Sequence, residues 1–274
     1  MTADLQRHAS RIAREAGARV RGALGTAVIE HKGAIDLVTD ADRASEAYLI
    51  EAIRERFPEH GILAEESGQG EGDDGYRWVL DPLDGTTNFA HGIPHFSVLV
   101  AVQHLGQTVV AATYDPMRDE LFTAAKGQGA WLNGAPITVS QTASLIESSG
   151  ATGFPYDRWT GEDNHAEFCA LNLATRGIRR FGSAGLDLAW VACGRFDFYW
   201  EGSLNPWDVT GGALLVAEAG GTVSNRRGEP FEPESGDIAC AGPLHGALID
   251  ALALARRAPI NDRSALAVLR TDTR

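Results

Sequence analysis

The sequence predicts an α+β protein in which helices and sheets are layered on one another. Three observations predict it. Apolar residues recur at helical steps near the N-terminus, residues 96–139 read as antiparallel strands, and after about residue 143 helical and strand-like segments alternate. The 274 residues suit one large domain or two intimate halves, 1–143 and 144–274. Hydrophobic residues make up 44%, which allows a sizeable core and excludes wholesale disorder.

The elements follow in order. Leu5, Ala9, Ile12, Ala16 and Val20 are spaced by three or four residues, which predicts an amphipathic helix over 3–21. Thr39 and Asp40 cap a second helix, with Ala47, Ile50, Ile53 and Phe57 on its apolar side and Pro58 beyond its end. Short apolar runs at 61–64 and 78–80 read as buried strands, and each ends in carboxylates. The glycine-rich stretch 68–75 between them reads as a loop. Runs at 96–102 and 108–114 form a hairpin about Leu105-Gly106-Gln107, and 120–125 and 130–132 extend the sheet. Helices at 164–175, 184–193, 207–219 and 244–256 alternate with strands at 178–181, 196–200, 222–223 and 237–240. Residues from about Asp262 onward are expected to pack loosely.

Composition narrows the function. Asp and Glu number 37 against 24 Lys and Arg, a net charge of −13, which repels phosphate backbones and argues against nucleic-acid binding. No apolar run approaches the ~18–20 residues of a membrane span. The polar start lacks the apolar segment of a signal peptide. Cys169, Cys193 and Cys240 are odd in number and far apart, so a reducing, cytoplasmic setting is expected.

The chemistry concentrates where strands end in acids. Glu65-Glu66 follows the run at 61–64. Asp81-Pro82-Leu83-Asp84-Gly85-Thr86 follows the run at 78–80, and Asp208 follows Pro206-Trp207 at the start of a helix. Asp-Pro-x-Asp-Gly makes a tight turn with two acids on one side, Pro setting its entry and Gly permitting a backbone that a Cβ obstructs. Acids at strand ends more often cap helices or make turns, the reading that suits Glu66, Asp36 and Asp40. For Asp81 and Asp84 together it fares worse, because such a motif followed by Ser or Thr arises by chance in roughly one chain in a few thousand. Clustered acids with no Lys or Arg between them repel one another unless cations sit among them, and hard oxygen donors favour Mg²⁺ over Zn²⁺.

Other motifs carry less. Gly70-x-Gly72-x-x-Gly75 matches a dinucleotide loop, but Glu71, Asp73 and Asp74 repel a pyrophosphate. His91 and His95 are separated by Gly92 and Pro94, so they are loop residues and not a helical zinc pair. Ser183 lacks a nucleophile-elbow context and reads as a helix cap lining the pocket. Arg179-Arg180 could touch a second substrate phosphate, but such a pair more often makes a surface or subunit contact, and Trp190, Trp200 and Trp207 read as core.

The blocks 81–88, Glu65-Glu66 and Trp207-Asp208-x-x-Gly211, with Lys32-Gly33, 36–42, Gly182-Ser183-Ala184 and Asp197-Phe198-Tyr199-Trp200-Glu201, resemble the inositol monophosphatase family in order and over most of the chain. The resemblance implies a layered αβαβα sandwich and a Mg²⁺-dependent, lithium-sensitive phosphomonoesterase with two to three ions per site. It implies that Glu65, Asp81 and the Leu83 carbonyl hold a first ion. Asp81, Asp84 and Asp208 hold a second, and a third sits near Glu65 through waters. Glu65, Thr86 and Asp42 carry the catalysis, Thr86 orienting the attacking water with support from Asp42. Asp84, Gly85, Thr86, Ser183, Ala184, Glu201 and Asp208 face the substrate, with the Gly85 and Thr86 amides on phosphate oxygens. The expected substrate is a small phosphorylated polyol or amino alcohol, myo-inositol 1-phosphate first, with histidinol phosphate and fructose 1,6-bisphosphate behind it. A homodimer is expected. A regulatory role with the transcription machinery is the rival of a different class.

Overall fold

The computed structural model describes residues 1–31, 37–70, 72, 74–155 and 164–257. Helix α1 (Thr2–Ala23) precedes a short hairpin of β1 (Ile29–His31) and β2 (Leu37–Thr39). Helix α2 (Asp40–Arg56) starts at the Thr39 cap, where the Asp42 side chain and the Thr39 backbone complete a capping box. An eight-stranded sheet follows, built from β3 (Gly61–Ala64), β4 (Gly68–Gly70), β5 (Tyr76–Asp84), β6 (Ser97–His104), β7 (Gln107–Asp115), β8 (Glu120–Ala125), β9 (Ala130–Leu132) and β10 (Ala135–Ile137), with short helix α3 (Thr86–Ala90) after β5. Its order is β10-β9-β8-β7-β6-β5-β3-β4, antiparallel throughout except for the parallel pair β3–β5.

A second sheet has five strands, β11 (Ser149–Thr152), β12 (Gly177–Arg179), β13 (Phe198–Glu201), β14 (Thr222–Ser224) and β15 (Ile238–Ala241), in the order β12-β11-β13-β15-β14. Around it lie α4 (His165–Ala174), α5 (Ala184–Ala192), α6 (Pro206–Glu218) and α7 (His245–Arg257). Helices α1 and α2 cover one face of the first sheet. Helices α5 and α6 lie between the two sheets, and α4 and α7 cover the far face of the second. The result is the five-layered αβαβα sandwich, with one apolar cluster under α1 and α2, one around α5 and α6, and one under α4 and α7.

The antiparallel 96–139 region, the helix series and the hairpin all form as expected. Leu105 and Gly106 both adopt positive φ, 51° and 78°, which matches the twist of a two-residue hairpin turn. Two expectations need correcting, and one strand was not expected. Residues 68–70 are a strand paired with β3, where glycines let the backbones approach closely. The unexpected strand, β11, carries no apolar alternation to announce it. It lies inside the second sheet between β12 and β13, and Gly150 leaves room for the Phe198 ring. On α2, Ala47 is exposed, and the buried face instead holds Ala41, Asp42, Ser45, Glu46, Leu49, Ala52 and Ile53. Three of those seven residues are polar because the face serves neighbouring backbone segments. Ser45 donates to the Pro82 carbonyl, and Glu46 accepts from the Glu66 amide. The C-terminal stretch from Asp262 lies outside the described residues, as do Lys32, Gly33 and Asp36.

Candidate active site

The register of β5 against β6 sets the two acids of the central turn. Asp81 pairs with Leu99 and Asp84 with Ser97, so three steps along β5 match two along β6. That β-bulge adds one residue at Pro82-Leu83. Leu99 and Ser97 lie on one face of β6, and facing partners in an antiparallel ladder share a face. Asp81 and Asp84, which regular pairing turns to opposite faces, therefore point the same way. Gly85 then takes φ 93°, and a Cβ there meets the carbonyl oxygens of His95 at 3.1 Å and Gly182 at 3.2 Å.

Each acid is held by its own element. The Leu83 amide donates to Asp81 Oδ1 at 3.0 Å. Asp84 Oδ2 receives Ser183 Oγ at 2.6 Å, the Gly185 amide at 2.9 Å and Ser97 Oγ at 3.0 Å. Asp208, in the first turn of α6, accepts the Asn205 amide at 2.7 Å. Thr86 Oγ1 lies 3.1 Å from Asp42 Oδ1 and 3.0 Å from the Leu83 carbonyl, so its proton has two acceptors. The other Asp42 oxygen is held by the Thr39 amide at 2.8 Å and by the Thr39 hydroxyl.

Glu65, Asp81, Leu83, Asp84, Thr86 and Asp208 line one cavity of about 170 Å³, together with Gly182, Ser183, Ala184 and Glu201. The sequence thus placed in one cavity residues drawn from positions 65 to 208. Burial pushes Asp81 and Asp208 well above the usual carboxylate range, and Asp84 and Glu65 raise each of them further. Burial also raises Asp84, against the Ser183, Ser97, Gly185 and Ala184 donors that lower it, and raises Asp42. Four crowded acids and a carbonyl form an all-oxygen donor set that fits Mg²⁺. Among the described residues no group of three or more His, Cys, Asp or Glu side chains is drawn to ligand spacing, so the fit is one of donor chemistry.

Glu201 closes β13 and lines the same cavity. Burial pushes its carboxyl up to about 7, while the Tyr199 hydroxyl, which donates to Oε2, and the charges of Arg180 and Arg226 hold it down. Gly153 passes directly behind it: a Cβ there collides with both carboxylate oxygens. Sequence reasoning missed this glycine, along with Phe154, Pro155 and Ser203, which also line the cavity. Ser203 takes a left-handed backbone, φ 63°, which no sequence pattern marks. Two assignments change. Arg180 lines the cavity and is not only a surface residue, and Trp207 lines it as well and is not only core. Trp200 is buried core as expected, and Trp190 packs on Phe181, His95 and Phe196.

A five-layered sandwich with acids from three strand and helix ends facing one small cavity defines a phosphomonoesterase. The inositol monophosphatase family model matches residues 1–258, and the chain belongs to that family. It is 51% identical over 229 residues to an inositol-1-monophosphatase of Synechocystis sp., covering 82% of this chain and 80% of the relative. It is 48% identical to a Nus factor SuhB of Pseudomonas aeruginosa, covering 77% and 80%. The structure of an inositol monophosphatase from Anabaena superposes with a TM-score of 0.86 at 44% identity, over 95% of this chain and 98% of that one. No helix among the described residues is long and apolar enough to cross a membrane.

Proposed function

We propose that this chain hydrolyses myo-inositol 1-phosphate to myo-inositol and phosphate with Mg²⁺. The observation that carries the reading is the bulge that turns Asp81 and Asp84 to one face, into a cavity shared with Glu65 and Asp208. A relative named inositol-1-monophosphatase at 51% identity supports the substrate.

Glu65, Asp81 and the Leu83 carbonyl would hold one Mg²⁺, Asp81, Asp84 and Asp208 a second, and Glu65 a third through water. Bound there, Mg²⁺ supplies Lewis-acid stabilisation of phosphoryl charge and a water of lowered pKa, which an inert phosphate monoester requires. The chain's own groups do the rest. Thr39 fixes Asp42, and Asp42 fixes the Thr86 hydroxyl, which orients the attacking water in line with the ester. The backbone amides of Gly85 and Thr86 bind phosphate oxygens. Ser183 and Ala184 line the alcohol side, and Glu201 accepts hydroxyl protons there, its own oxygen steadied by Tyr199.

A phosphate-release screen over inositol, sugar, nucleotide and amino-alcohol phosphates tests this reading. Inositol 1-phosphate is expected to lead, above histidinol phosphate and fructose 1,6-bisphosphate, with inhibition by millimolar Li⁺. No release from any ester with Mg²⁺ overturns it, and a rate untouched by Li⁺ removes the lithium part. A homodimeric mass in solution is expected by light scattering.

The second reading, a partner of the transcription machinery, is favoured by the relatives named Nus factor SuhB. A pull-down with Asp84→Asn separates the two, since partner capture survives that change and hydrolysis does not.

A further inference from the structure

The alcohol end of the cavity holds an unassigned charge. Among the described residues that line the cavity, Arg180 is the one cation, set against a wall of acids. Its guanidinium packs over Gly182, where a Cβ collides with Nη1. It follows strand β12 and is separated by Phe181 from the Gly182-Ser183-Ala184 turn that leads into α5, so its backbone is held between two elements. The arm itself is exposed, but it lies close enough to pull down the carboxyls of both Glu201 and the fully buried Asp187. Phe154, Pro155, Leu204 and Trp207 also line the cavity. A ligand seated there displaces water from between the guanidinium and the Glu201 carboxylate, and a charge acts further where water is scarce.

This arrangement changes what Glu201 selects. A lone carboxylate serves an ammonium group and a pair of hydroxyls equally well. A carboxylate with a fixed cation beside it loses its advantage for the ammonium group, because attraction by one is met by repulsion from the other. Hydroxyls suffer no such repulsion and keep both partners, donating to Glu201 and accepting from Arg180. The guanidinium is also poorly placed to serve a second phosphate group, which meets Glu201 at the same end.

Resting on the phosphomonoesterase reading above, we propose that Arg180 is a specificity-determining residue whose positive charge, seated beside Glu201 in the cavity wall, makes the alcohol end a site for neutral polyols and excludes amino alcohols. Arg180 acts on the alcohol portion and takes no part in the phosphoryl chemistry.

The test compares the unmodified protein with Arg180→Met, which keeps an unbranched stem without charge, and Arg180→Lys, which keeps the charge. Each is assayed with Mg²⁺ on inositol 1-phosphate, histidinol phosphate, fructose 1,6-bisphosphate and p-nitrophenyl phosphate. The last, which has neither hydroxyls nor ammonium, normalises the other kcat/KM values. The expected result is that Arg180→Met shifts the histidinol-to-inositol ratio at least fivefold toward histidinol phosphate, chiefly through KM, and that Arg180→Lys holds it within twofold of the unmodified protein. An unchanged ratio in Arg180→Met overturns the proposal. So does a loss confined to the bisphosphate, which assigns Arg180 to a second phosphate group. Should Arg180→Met fail to fold, a fivefold shift in Arg180→Lys overturns the proposal and retention of the ratio supports it. Absence of all hydrolysis in the unmodified protein overturns the phosphomonoesterase reading itself, whereas normal hydrolysis with an unchanged ratio overturns the role of Arg180 alone.

Discussion

Ser183 and Asp84 stand 99 positions apart in the chain, and the Ser183 hydroxyl donates to Asp84 Oδ2 at 2.6 Å. The bond joins the end of β5 to the residue that opens α5, and the Gly185 amide adds a second link at 2.9 Å. The acid turn of the first sheet is thereby fixed to the helical layer between the sheets. A hydrogen bond to a charged acceptor contributes about 1.5–3 kcal/mol. Ser183→Ala is expected to keep the fold and lower kcat about tenfold to a hundredfold, with the apparent Mg²⁺ requirement raised. Activity measured across a Mg²⁺ titration checks this, and unchanged kcat at every concentration contradicts it.

Asp81→Asn removes one charge from four crowded acids. Activity is expected to fall to background. The metal-free protein is expected to be as stable as the unmodified one or more so, by about 1 kcal/mol, because repulsion among the acids is relieved. The rise in Tm that Mg²⁺ gives the unmodified protein is expected to shrink. Near-normal turnover at moderate Mg²⁺ contradicts the two-metal assignment.

Gly153→Ala drives a methyl group into the Glu201 carboxylate and displaces it from the cavity wall. The expected outcome is a KM for inositol 1-phosphate raised about tenfold or more, with a smaller change for p-nitrophenyl phosphate, which offers Glu201 no hydroxyl. Equal losses on both esters place Gly153 among residues that hold the fold.

His95 predicts a pH dependence of stability. Its ring lies against Phe181 and Trp190, and Nε2 has no hydrogen-bond partner among the described residues. Burial, reinforced by Arg118, which is itself paired with Asp115, lowers its pKa from 6.5 to about 4. The folded protein thus holds His95 neutral where the unfolded chain protonates it. Its contribution is fully present above pH 6.5, declines as pH falls, and is gone below about 4. The window is worth up to about 3 kcal/mol. His95→Phe is expected to lose less stability than the unmodified protein between pH 7 and pH 5 in urea unfolding. Parallel losses contradict the assignment.

Much of this was legible in the sequence because the relevant signals are local. Asp81-Pro82-Leu83-Asp84-Gly85 writes its turn in five residues, and helical spacing in α1 writes its buried face. What was illegible depends on contacts between distant segments. Ala47 looked apolar and buried, but the polar residues Asp42, Ser45 and Glu46 claim the inner face because Thr86, Pro82 and Glu66 bond to them. Arg180 looked like half of a surface pair until β13 and the 153–155 segment enclosed a cavity beside it. Gly153 carries no signature of its own, since its reason is a carboxylate 48 positions later.

The bulge between Asp81 and Asp84 makes segment length itself a functional quantity. A substitution at Leu83 alters one side chain, whereas an insertion or deletion of one residue there alters parity. Regular pairing at the present residue count sends one of the two acids to the opposite side of the sheet. Loss of one residue restores an ideal ladder with both acids still on one face, but removes the extra residue of the bulge at Pro82-Leu83, and with it the place from which the Leu83 carbonyl faces the cavity. Descendants of this gene are therefore free to drift in composition around the turn but not in residue count, and an engineer grafting the site must copy the irregularity together with the residues.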